Sequence, residues 1–152
     1  LVATSVALMD GHEPLYGVVR NLASGDVYEG GKLLDALKNG ARVAVSNVAK
    51  VQRAALATGV PVGTGGPMAA EIGIPTLLEH PGKIRMFGSA ALSLCFLAEG
   101  KVDMYVEAGI FVWDVAAGIA IAAAAGARVT VSDFPGAHRV EVKATNPYLH
   151  DV

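Results

Sequence analysis

The chain has 152 residues, a net charge of −2, and 53% hydrophobic against 17% charged side chains. That length supports one domain with its own core. The scattered Lys and Arg exclude a basic stripe for nucleic acid, a single cysteine (Cys95) excludes an intrachain disulfide, and the longest apolar run, Val115 to Ala127, falls short of the ~20 residues a bilayer crossing needs. No basic segment precedes an apolar stretch at the start, so no signal peptide is expected, and a soluble, cytoplasmic protein is. The apolar content exceeds the roughly 45–50% of ordinary domains. A partner subunit or a missing part of the same protein is expected to cover the excess. Leu1 opens in what reads as mid-strand, as in a processed product or a fragment.

In chain order, Thr4 to Asp10 and Pro14 to Asn21 alternate apolar and polar residues about an Asp10-Gly11-His12-Glu13 turn, which predicts a hairpin. Ala23-Ser24-Gly25 is a second turn before a short strand at Asp26 to Glu29. Lys32 to Lys38 reads as one or two helical turns. Lys38-Asn39-Gly40 is a turn before a strand at Ala41 to Val45, and Val48 to Thr58 does not separate helix from strand. Gly59 to Gly73 is a Gly- and Pro-rich loop with room for a short helix over Met68 to Ile72, and Ile84 to Phe87 is a strand. Ser89 to Ala98 is a helix with Ser89 as N-cap and Gly100 as its stop. Val102 to Glu107 is a strand, Asp114 to Ala125 a helix ending at Gly126, and Arg128 to Val131 and Val140 to Ala144 are the last strands. The order implies a mixed α/β (α+β) layered sandwich with helices on a sheet. Three regions follow: residues 1–58, a meander with its following segment; 59–83, the Gly/Pro-rich loop; and 84–152, a carboxyl-terminal α/β part.

Trp113-Asp114-Val115-Ala116-Ala117-Gly118 places one carboxylate at the head of a very apolar helix. Asp114 either caps that helix, opposes its dipole, or holds a cation. Ser89 heads the other helix and reads as a cap, a ligand, or both. Glu107 and Gly109 lie at a strand end on the approach to Asp114, where Glu107 is either a ligand residue or a solvated carboxylate. Two helix starts, two carboxylates and a hydroxyl at one sheet edge suit a hydrated Mg²⁺ and a phosphate ester. Trp113 is expected in the core beside this site, and Asp103 is expected to be exposed. Gly63-Thr64-Gly65-Gly66 fails the dinucleotide fingerprint at Met68, and Gly30-Gly31-Lys32-Leu33 fails the Walker pattern at Leu33, so both read as loops. The four histidines and Cys95 share no ligand or nucleophile spacing.

The run from Gly88 to Gly126, GSAALSLCFLAEGKVDMYVEAGIFVWDVAAGIAIAAAAG, resembles the carboxyl-terminal signature of the inositol monophosphatase family. That signature is a Gly-Ser/Thr-Ala-Ala helix start, an acidic residue on a strand, then Trp-Asp-x-Ala-Ala/Gly, here spaced without a gap. The early meander, Lys38 to Ser46, and the closing KATNPYLHD resemble the family more weakly.

The resemblance implies an αβαβα fold and a Mg²⁺-dependent, lithium-inhibited phosphatase in which metal-activated water attacks phosphorus directly. It gives Asp114 the role of metal ligand, and Glu107, Ser89 and Ala90 that of substrate contacts. It also implies a homodimer acting on a small phosphorylated polyol or sugar. The family's upstream motifs, Gly-Glu-Glu and Asp-Pro-Leu/Ile-Asp-Gly-Thr, are not in this sequence, and Ala124 and Ala127 stand where the family has Glu and Gly. One carboxylate holds Mg²⁺ weakly, so the chain by itself is expected to be nearly inactive. The rival reading is a non-catalytic dimerisation or complementation module of the same ancestry.

Overall fold

The computed structural model describes residues 1–59, 82–133 and 135–149. Five antiparallel strands form a first sheet in the order β1-β2-β3-β4-β5: β1 (Ala3–Asp10), β2 (Glu13–Asn21), β3 (Val27–Gly31), β4 (Leu34–Lys38) and β5 (Ala41–Arg42). A second, mixed sheet has the order β7-β6-β8-β10-β9, from β6 (Ala55–Thr58), β7 (Lys83–Arg85), β8 (Met104–Phe111), β9 (Arg128–Asp133) and β10 (Arg139–Thr145). Two helices, α1 (Ala90–Ala98) and α2 (Val112–Ala124), lie between the sheets.

The helices are apolar all round because each is buried on two sides. Toward the first sheet, Leu92, Cys95, Ala117 and Ile121 pack with Val19, Tyr28 and Ala36. Toward the second, Leu94, Leu97, Val115 and Ala122 pack with Ala57, Tyr105, Val142 and Ala144. Close approach between the helices depends on Gly118, where a Cβ would come within 2.7 Å of the Leu94 Cβ. The far face of the second sheet carries a smaller cluster of Ala54, Leu56, Met104, Val106 and Leu149.

The hairpin forms as its pattern predicts, with Asp10 opposite Glu13 and Gly11 at φ 57°. Asn39 (φ 50°) and Gly40 (φ 79°) close the β4–β5 turn in the left-handed conformation that Asn-Gly favours. Ser89 caps α1 by accepting from the Leu92 N–H at 3.4 Å, and Gly100 (φ 72°) stops it.

Four expectations need correction. Residues 34–38 form strand β4, not helical turns, because the tight turn after Gly31 folds them back onto β3, with Leu37 opposite Glu29. The strand expected over Ala41 to Val45 pairs only through Arg42. Beyond it, Val45 N–H donates to the Ala125 carbonyl, and the chain leaves the sheet for the end of α2. Asp103 is not exposed: at 6% accessibility it accepts from the Ala55 N–H (2.7 Å) and the Ser46 hydroxyl, tying β6 to the start of β8. Trp113 is not in the core but 55% exposed, stacked on Phe111.

Two element ends also shift. Strand β8 runs four residues past Glu107, and α2 starts at Val112, two residues before Asp114. The ambiguous Val48 to Thr58 segment resolves into a 3₁₀ turn at Val51–Arg53 and strand β6. The predicted helix at Met68 to Ile72 and the Gly63–Gly66 stretch lie outside the described residues. Among the described residues no helix is long and apolar enough to cross a membrane.

Candidate active site

Ser89, Ala90, Glu107 and Asp114 all line one cavity of about 540 Å³. Its walls come from β1 (Ala3, Ser5), the end of β6 with Gly59, the start of α1, β8 (Glu107, Ile110) and the first turn of α2. Topology makes this convergence possible. Strand β6 lies parallel to β8, with Thr58 opposite Val106, so Gly59 arrives beside Glu107. A register shift between Ala108 and Ile110, with Gly109 at φ 73°, then bends β8 toward α2.

Asp114 is not the helix cap. Phe111 occupies that position and no side chain caps the helix, which leaves Asp114 in the first turn. Its carboxylate has no hydrogen-bonding side chain among the described residues. Burial pushes its pKa up even though the helix start favours an anion. Glu107 is 6% exposed, so it is no solvated strand end. Burial pushes its carboxyl up as well; the Tyr105 hydroxyl, 2.9 Å from Oε2, works against that shift, and the charge of Asp114 adds to it. The Tyr105 hydroxyl is held well above its ordinary range by burial and by the neighbouring Glu107 charge.

Ser89 and Ala90 place the start of α1 at the cavity, where backbone N–H groups of the first turn lack intrahelical partners. Ser5 adds a buried hydroxyl with no hydrogen-bond partner among the described residues, also on the cavity wall. Tyr105, Gly59, Thr58 and Ser5 were missed from the sequence. Tyr105 had a usable signal, since a residue two before Glu107 on a strand shares its face. Gly59 had none.

The residues facing the cavity include two carboxylates and no Lys, Arg or His among those described. A phosphate ester would be repelled by such a wall unless a cation stood between them. An oxygen-seeking divalent cation such as Mg²⁺ fits Asp114 as a single ligand, with water filling most of its positions. No group of three or more His, Cys, Asp or Glu side chains able to hold a metal is present among the described residues.

Two sheets enclosing paired helices, with a carboxylate-lined cavity at the helix starts, define a layered α/β fold with one candidate site. The chain belongs to the inositol monophosphatase family, whose family model matches residues 1–146. It is 32% identical over 152 residues to the fructose-1,6-bisphosphatase/inositol-1-monophosphatase of Aquifex aeolicus, covering 99% of this chain and 57% of that protein. It is 34% identical over 134 residues to the Nus factor SuhB of Xylella fastidiosa, covering 88% of this chain and 48% of that protein. The solved structure of Mycobacterium tuberculosis SuhB superposes with a TM-score of 0.87 at 31% identity, over 98% of this chain and 60% of that one. The chain thus spans about half the length of the curated relatives it matches.

Proposed function

We propose that the protein is a phosphomonoester hydrolase of the inositol monophosphatase type, acting with Mg²⁺ on a small polyol or sugar phosphate. The described residues would form its substrate-facing wall. The observation that carries this reading is the meeting of Ser89, Ala90, Glu107 and Asp114 in a single cavity. The start of α1 offers N–H donors and a positive dipole end to the phosphate. Glu107 accepts a hydroxyl of the polyol, and Asp114 holds the cation. When bound, that cation would neutralise phosphate charge and lower the barrier to attack by water. Lithium inhibition follows from family membership alone.

A single free carboxylate makes a weak Mg²⁺ site, so the chain on its own should release only traces of phosphate from inositol 1-phosphate. Titration calorimetry should show weak Mg²⁺ binding that Asp114→Asn abolishes. Robust turnover by the purified chain, or Mg²⁺ affinity unchanged by the substitution, would overturn the assignment of Asp114.

Two observations favour a second reading, in which the polypeptide is a non-catalytic dimerisation or complementation module. One relative carries the name of a Nus factor. Val6 and Leu8 on β1 are 63% and 61% exposed, and Val2 just before it 63%, and a partner subunit or further chain would cover them. A strict monomer by sedimentation would count against homodimerisation.

A further inference from the structure

Resting on the reading of Glu107 as the residue that receives a substrate hydroxyl, we propose that Gly59 and Tyr105 are positioning residues that aim its carboxylate. By doing so they would make the site prefer a hydroxyl-bearing phosphate ester to a bare one.

Tyr105 and Glu107 stand two apart on β8 and so project from the same face. Tyr105 is fully buried in the cluster shared by the helices and the second sheet, which fixes its ring. Its hydroxyl donates to Oε2 of Glu107 at 2.9 Å. The other oxygen, Oε1, has no hydrogen bond within the described structure, and Glu107 faces the cavity. A carboxylate oxygen accepts only, so the group it seeks is a donor such as a hydroxyl.

Gly59 controls the opposite side. A Cβ placed there would lie 2.5 Å from both Glu107 oxygens. Any side chain at position 59 must therefore displace the carboxylate. Thr58 keeps Gly59 from retreating, because its buried hydroxyl donates to the Val106 carbonyl at 2.6 Å. The displaced group would be the end of a flexible side chain, so Gly59→Ala should turn Glu107 aside without unfolding the sheet. Tyr105→Phe keeps the ring and removes only the donor.

The test is titration calorimetry of the chain with myo-inositol 1-phosphate and with methyl phosphate, Mg²⁺ being present throughout. The wild type should hold the inositol ester about tenfold more tightly, the worth of one charge-assisted hydrogen bond. Tyr105→Phe and Gly59→Ala should each remove most of that preference, leaving methyl phosphate binding as it was. Glu107→Gln should remove it too. Equal weakening of both ligands marks a purely structural role and overturns the proposal, as does a preference that survives in both variants while Glu107→Gln loses it. If Glu107→Gln retains the preference, or the wild type binds neither ester, the reading of Glu107 as a substrate residue falls and takes this inference with it.

Discussion

Two tyrosine–glutamate pairs in this molecule have the same chemistry and opposite surroundings. Between the first sheet and the end of α1, the Tyr28 hydroxyl donates to Glu99 Oε1 at 2.8 Å. Lys38 and Lys101 also reach that carboxylate, at 3.1 Å and 2.8 Å. Burial alone would raise the Glu99 pKa, but its hydrogen bonds from Lys101, Tyr28 and Lys38 prevail and lower it. In the cavity, Tyr105 donates to Glu107 and no cation among the described residues accompanies the pair, so burial prevails and the pKa rises. A buried carboxylate with its charge balanced is part of the framework. One left unbalanced beside a cavity costs stability and is open to a ligand.

The largest expected effect comes from breaking the balanced pair. Lys38→Met should cost about 2 kcal/mol in denaturant unfolding, since Glu99 would keep only Lys101 as a cation. The paired substitutions Glu99→Gln and Glu107→Gln should then move stability in opposite directions. Glu99 has a lowered pKa, so its contribution is present above the ordinary glutamate value of 4.5 and is lost as pH falls. Glu99→Gln should destabilise by roughly 1 kcal/mol at neutral pH, with the penalty shrinking on acidification.

Glu107 has a raised pKa, so the folded state favours its protonated form, and that contribution is lost as pH rises through the raised value. Glu107→Gln should stabilise by about 1 kcal/mol at neutral pH, with the gain vanishing in acid. Thermal melts across a pH series would show whether the two profiles cross in sense. Should both variants behave alike, the contrast between the pairs is wrong.

Asp114→Asn should shift the melting midpoint upward slightly at neutral pH, since burial penalises the charged form. Smallest of all, Lys32→Ala removes an exposed ion pair with Glu13, 2.7 Å long, and should leave the midpoint unchanged within error. A clear drop there would mean that surface pairing contributes what has been assigned to the buried network.

Much of the local structure was legible. The Asp10–Glu13 and Asn39-Gly40 turns carry their own dihedral demands, the alternation of β1 and β2 marks a half-buried meander, and Ser89 and Gly100 bracket α1. The residues at positions 89, 90, 107 and 114 were also in hand, and the fold gathers them in one cavity. Strand β4 is not legible locally, because a short segment beside a glycine turn takes its state from the strand it pairs with. The burial of Asp103 is not legible locally, because its partners, Ser46 and the Ala55 N–H, are 57 and 48 residues away.

By itself, then, the sequence determined where the chain turns, which runs are apolar, and which carboxylates stand near helix starts, because periodicity and backbone dihedrals are local properties. The tertiary structure alone decided that β6 lies parallel to β8, that Gly59 therefore meets a carboxylate 48 residues on, and that Trp113 faces out while Tyr105 faces in. Those outcomes depend on which surfaces exclude water from one another, and a side chain's neighbours across space are not written in its neighbours along the chain.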